Sequence, residues 1–107
     1  MKFDSIKITD STMVNAEVLK AMKDAYPSGV FELVTGKLKG WIRKPTRNEM
    51  RELSSKKVDP ITYSEIALDM LWLGGDEAIK TDDEAFYSVS GVIQNVLDIK
   101  EAELKKL

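Results

Sequence analysis

Polar and apolar residues alternate over residues 2–9, with Ile6 and Ile8 on one side and Lys7 on the other, the period-two pattern of a half-buried strand. From Met13 to Tyr26 the period lengthens. Val14, Val18, Ala21, Met22 and Ala25 recur at helical spacing, behind the capping candidates Ser11 and Thr12 and ahead of Pro27-Ser28-Gly29, which predicts an amphipathic helix of about three turns. Two β-prone runs come next, Val30 to Val34 and Leu38 to Arg43. Thr35-Gly36-Lys37 separates them, and Gly36 supplies the positive φ of a tight hairpin. Gly40 inside the second run marks a bulge or a close backbone approach, and Trp41 beside it is the largest apolar group of the hairpin.

The carboxyl-terminal half reads as helices with explicit start signals. Pro45 ends the strand, and Thr46-Arg47-Asn48-Glu49 has the spacing of a capping box, opening a short helix that buries Met50 and Leu53. Asp59-Pro60 places a carboxylate at the N-cap and proline at the first helical position of a helix with the stripe Tyr63, Ile66, Ala67, Met70 and Leu71. Gly74-Gly75 is read as the stop, a C-cap in left-handed geometry. Thr81-Asp82-Asp83-Glu84 is read as a second capping box, opening a long final helix. Its stripe is Phe86, Val89, Val92, Ile93, Val96 and Leu97, and Lys100, Lys105 and Lys106 complement its negative end. The expected architecture is a single α+β domain over residues 1–107: a small antiparallel sheet of amino-terminal strand plus hairpin, then a helical carboxyl-terminal half.

Composition narrows the chemistry. A chain of 107 residues with 43% hydrophobic and 32% charged residues has the size and make-up of one folded domain with its own core. It has no cysteine and no histidine, which removes thiolate nucleophiles, Cys or His zinc sites and every imidazole base. The first seven residues lack the continuous apolar stretch of a signal peptide, and no run is long enough to span a bilayer, so a cytoplasmic protein is expected.

The net charge of −2 hides two opposed blocks: residues 36–58 carry eight basic and two acidic groups, and residues 59–87 carry one basic and eight acidic. The blocks can serve different partners or pair with each other. The basic stretch (Lys37, Lys39, Arg43, Lys44, Arg47, Arg51, Lys56, Lys57) surrounds Trp41 and is the one segment with the make-up of a nucleic-acid reader, although a solvated face is the plainer explanation and nucleic acid is not the expected partner.

No catalytic motif survives inspection. Gly74-Gly75-Asp76-Glu77-Ala78 looks like the signature loop of diguanylate cyclases, but Ala78 stands where that loop has phenylalanine, and the loop follows a helix instead of sitting in a hairpin. Asp76, Glu77, Asp82, Asp83 and Glu84 lack the spacing and central glycine of an EF-hand and serve better as capping carboxylates; no metal or cofactor is expected. Gly36-Lys37 lacks the preceding glycine and following hydroxyl of a phosphate-binding loop. Trp72 and Leu73 widen the third helix's stripe to nearly its whole circumference. Such a surplus of apolar surface closes a core or anchors a protein partner.

The order of features resembles the small tail assembly chaperones of long-tailed bacteriophages and prophages. Carrying the resemblance over residues 30–107 are a hairpin ending Trp41-Ile42-Arg43-Lys44-Pro45-Thr46-Arg47-Asn48-Glu49, a helix running into Leu73-Gly74-Gly75-Asp76, and an acidic turn before a last helix ending Lys100-Glu101-Ala102-Glu103-Leu104. The resemblance implies a non-catalytic protein of the infected bacterial cytoplasm that coats the helical tape-measure protein and delivers it to the tail-tube protein. Trp41, Met70, Trp72 and Leu73 are the residues singled out for partner contact, and the apolar last helix makes self-association an option. A small nucleic-acid-binding regulator and a structural phage protein retained in the particle are the alternatives.

Overall fold

A computed structural model describes Phe3, residues 7–97 and residues 104–106. A 3-10 turn at Ser11–Met13 leads into α1 (Ala16–Ala25), the hairpin strands β1 (Val30–Thr35) and β2 (Leu38–Arg43), α2 (Arg47–Ser54), α3 (Pro60–Leu71), β3 (Trp72–Gly75), the short α4 (Ala78–Thr81) and α5 (Asp83–Leu97). The α+β class holds: a three-stranded antiparallel sheet in the order β1-β2-β3 packs with the helices, the hairpin preceding α2 and α3 and the third strand following them.

The sheet separates two layers. One face carries Leu33 and Ile42 against Leu53, Ala67, Leu68, Leu71, Ile79, Phe86, Val89, Ile93 and Leu97, the main core. Trp41 on the opposite face packs with Ile8, Val18 and Met22, so that α1 covers the sheet from the other side. Residues alternate between these faces along β1 and β2 because successive strand side chains point to opposite sides.

Local chemistry explains the hairpin and the starts of α2 and α3. Thr35 pairs with Leu38 across Gly36 and Lys37, and Gly36 takes φ +58°. Thr46 accepts from the Glu49 amide while the Glu49 carboxylate accepts from the Thr46 amide, so the expected capping box is closed at both ends. Asp59 caps α3 by accepting from the Thr62 amide, with Pro60 in the first position.

Four expectations need correction. The third strand is β3, not an amino-terminal one: Lys7, Ile8 and Thr9 lie in no strand, and residues 2 and 4–6 fall outside the described residues. The first helix starts later than its apolar spacing implies, because Asn15, not Ser11 or Thr12, accepts from the Val18 amide and caps it. α3 ends at Leu71 without a left-handed cap; Trp72 is already extended, and Gly74 and Gly75 belong to β3 at φ +155° and +138°. A Cβ at Gly74 would stand 2.6 Å from the Ile8 Cβ, and one at Gly75 would stand 2.5 Å from the Gly40 Cα, so close packing requires both glycines. At the last helix, Thr81 ends α4 and the cap is Asp82, whose carboxylate accepts from the Ala85 amide. The end of the predicted last helix, including Lys100, lies outside the described residues; Lys105 and Lys106 are exposed and in no helix.

Candidate partner-binding surface

The four residues singled out for contact do not form one surface. Trp41 is 7% exposed and belongs to the smaller core, between β2 and α1, which leaves it no face for a partner. Met70 and Trp72 are half-buried against the main core, whereas Leu73 turns to the opposite side of the sheet. The Trp72 ring packs over Gly40 beside Ile79, with the Lys80 ammonium 5.5 Å from its centroid and held there by Asp69 at 2.8 Å. Its Nε1 is buried with no hydrogen-bond partner. A tryptophan held on three sides in this way closes the core first and offers only an edge to solvent.

Apolar surface is exposed elsewhere. Between the start of α3 and the middle of α5 runs an open groove of about 540 Å³ lined by Val58, Pro60, Ile61, Tyr63, Ser64, Ser90, Gly91 and Gln94. Val58 and Ile61 on its rim are 43% and 49% exposed. Gly91 stands in the middle of α5 with nothing within 4 Å of where a Cβ would be. Neither packing nor a special φ therefore demands glycine at that position, although glycine costs a helix interior about 0.5–1 kcal/mol relative to alanine. Its effect is to leave one wall of the groove without a side chain. A glycine in the interior of a helix, on its exposed side, is a signal visible in the sequence; the meeting of Val58 and Ile61 with it is not, because it depends on how α3 crosses α5.

The charged blocks do not pair with each other. Among the described residues the ion pairs are Lys39–Glu32, Arg43–Glu49 and Lys80–Asp69, none of which joins residues 36–58 to residues 59–87. Arg43 grips both Glu49 oxygens at 2.6 Å and also donates to the Met70 carbonyl at 3.1 Å, tying β2 to α2 and to the end of α3. The guanidinium bond holds the Glu49 carboxyl down at about 2, with the capping amide of Thr46 adding to it against the opposing effect of burial. Lys44, Arg47, Arg51, Lys56 and Lys57 are exposed around α2.

Two carboxylates of the acidic cluster, Asp76 and Asp82, are occupied structurally. Asp76 accepts from the Ser11 amide at 2.8 Å with one oxygen and from the Lys39 amide at 2.8 Å with the other, while its own amide donates to the Lys39 carbonyl. Burial pushes this carboxyl up, but those two backbone donors outweigh it and hold it below the ordinary value. Among the described residues no group of three or more acidic side chains is arranged to hold a metal ion, and no helix is long and apolar enough to cross a membrane. No protein-family model, curated protein or solved structure matches the chain.

Proposed function

We propose that the chain is a non-catalytic protein-binding domain that receives an amphipathic helix in the groove between α3 and α5. Its partner is the tape-measure protein of a long-tailed phage, which it shields from aggregation in the bacterial cytoplasm and hands to the tail-tube protein. The observation that carries the helix-binding part is Gly91: a residue that weakens its own helix and whose missing side chain keeps an apolar groove open. The choice of partner rests on the resemblance of residues 30–107 to tail assembly chaperones.

Reading the genes that flank this one tests the partner, and titrating the purified chain with helical tape-measure fragments from the same genome tests the groove. A tail-tube gene upstream, a very long helical gene downstream, and binding that Gly91→Phe weakens at least tenfold without unfolding the chain are the expected results. Neighbours unrelated to tails would overturn the partner; binding indifferent to Gly91→Phe would overturn the groove.

The exposed basic side chains around α2 favour a second reading, a nucleic-acid-binding regulator. In that case duplex affinity falls steeply with added salt and with Arg47→Glu plus Arg51→Glu, whereas an apolar helix interface is nearly indifferent to both.

A further inference from the structure

The two edges of the sheet are finished differently. β3 is short, and its edge is covered by the segment before α1: Ile8 packs on Gly74, and the Ser11 amide is tied to Asp76. β1, at the other edge, pairs with β2 alone and has no strand on its outer side among the described residues. Of the usual devices that block an open edge it carries only one charge, Glu32, exposed at its centre. It has no proline, no lysine and no bulge, the one register shift in the sheet lying between β2 and β3.

Which backbone groups face outward follows from Lys39. Its amide and carbonyl both bond to Asp76, on the β3 side, so its pairing with Val34 across the hairpin is a non-hydrogen-bonded one. Alternation then turns the N–H and C=O groups of Val30, Glu32 and Val34 away from β2, a row that water satisfies in the single chain and that another extended chain can pair with. Val34 is 58% exposed. Along the same edge α5 presents Val92, 46% exposed, and a groove of about 370 Å³ lies between Phe31–Val34 and Val92–Val96.

We infer that this edge is covered by a second copy of the chain, with β1 pairing antiparallel to the partner's β1 to make a continuous six-stranded sheet. An antiparallel edge is its own complement about a two-fold axis, so the same row of donors and acceptors serves both copies. Charge excludes one register and strand length chooses between the others. Pairing Glu32 with the partner's Glu32 would set like charges directly opposite each other; of the two-residue shifts that avoid this, one pairs only residues 30–32, whereas the other pairs residues 31–35, setting Glu32 opposite the partner's Val34 and Leu33 opposite the partner's Leu33. In that register Phe31 and Val92 of both copies border one shared apolar seam. The inference is independent of the α3–α5 groove and of the tape-measure reading.

Sedimentation velocity over a concentration series tests it. A monomer–dimer equilibrium is expected. Glu32→Pro removes one outward amide and no β1–β2 bond, and it should weaken the dimer at least tenfold with the circular dichroism spectrum retained. Val34→Lys with Val92→Lys, both on exposed positions, should do the same. Because the chain has no cysteine of its own, single substitutions that leave Glu32 in place report the register: Phe31→Cys mixed with Thr35→Cys should form the cross-linked dimer under mild oxidation in preference to either variant alone. A chain that stays monomeric at every concentration, or a dimer indifferent to both the proline and the double-lysine variants, overturns the inference; a dimer in which Phe31→Cys and Thr35→Cys do not cross-link, or in which Phe31→Cys links faster to itself, overturns the register.

Discussion

The indole of Trp72 lies over Gly40, so close that a Cβ on residue 40 would stand 2.6 Å from the ring's Cη2 atom. The contact joins the middle strand to the residue that turns α3 into β3, and it makes Trp72 a packing residue. Gly40→Val should displace the ring toward solvent, cost about 1–3 kcal/mol as overpacking does, and shift tryptophan emission to longer wavelength in a Trp41→Phe background. Denaturant melts and fluorescence check both effects. Unchanged emission would mean that the ring keeps its place.

Asp76 fastens the segment before α1 to the sheet through two backbone amides. Asp76→Asn keeps the size but offers only one acceptor oxygen, so one of the two amides loses its partner. A loss of about 1–3 kcal/mol is expected, with faster amide exchange at Ser11 or Lys39 as the local sign. Stability unchanged within error would show that the tie contributes nothing.

The Arg43–Glu49 pair sets an acid limit. The folded carboxyl sits at about 2 against an ordinary value of 4.5. Its contribution is therefore complete above about pH 4.5 and is lost as pH falls toward 2. Glu49→Gln should be less stable than the parent by about 2 kcal/mol at pH 7, and the gap should close between pH 4.5 and 2 in thermal melts. Since glutamine can also close the capping box, a gap that stayed constant with pH would show that the charge of Glu49 contributes nothing.

Gly91 separates stability from binding. Gly91→Ala should raise stability by about 0.5–1 kcal/mol, since the added methyl meets open space and the helix gains a better former. A destabilised Gly91→Ala would mean that the position is constrained by something other than the groove.

What the sequence made legible is what is decided within a few residues. The Thr46–Glu49 box, the Asp59-Pro60 start and the Gly36 turn each satisfy their own backbone groups, so their residue types suffice to place them. β3 escaped because its identity lies in remote contacts: two of its four residues have no side chain, and what makes them a strand is Gly40 and Lys39 on one side and Ile8 on the other. Thr81 and Asp82 are both competent caps one position apart, and α4, which takes in Thr81 as its last residue, decides between them. The surface was harder still. Trp41 and Trp72 carry the residue type favoured at interfaces yet are spent on the two cores, whereas Val58, Ile61 and Gly91 become a groove only where α3 crosses α5.

Mapping amide shifts of the isotopically labelled chain as a helical tape-measure fragment is added tests helix recognition most directly. Shifts concentrated on Val58, Ile61, Tyr63, Ser90, Gly91 and Gln94, and absent in Gly91→Phe, are the expected result. No shifts with the fragment, or shifts centred on Arg47 and Arg51 that appear instead with duplex DNA, would contradict it.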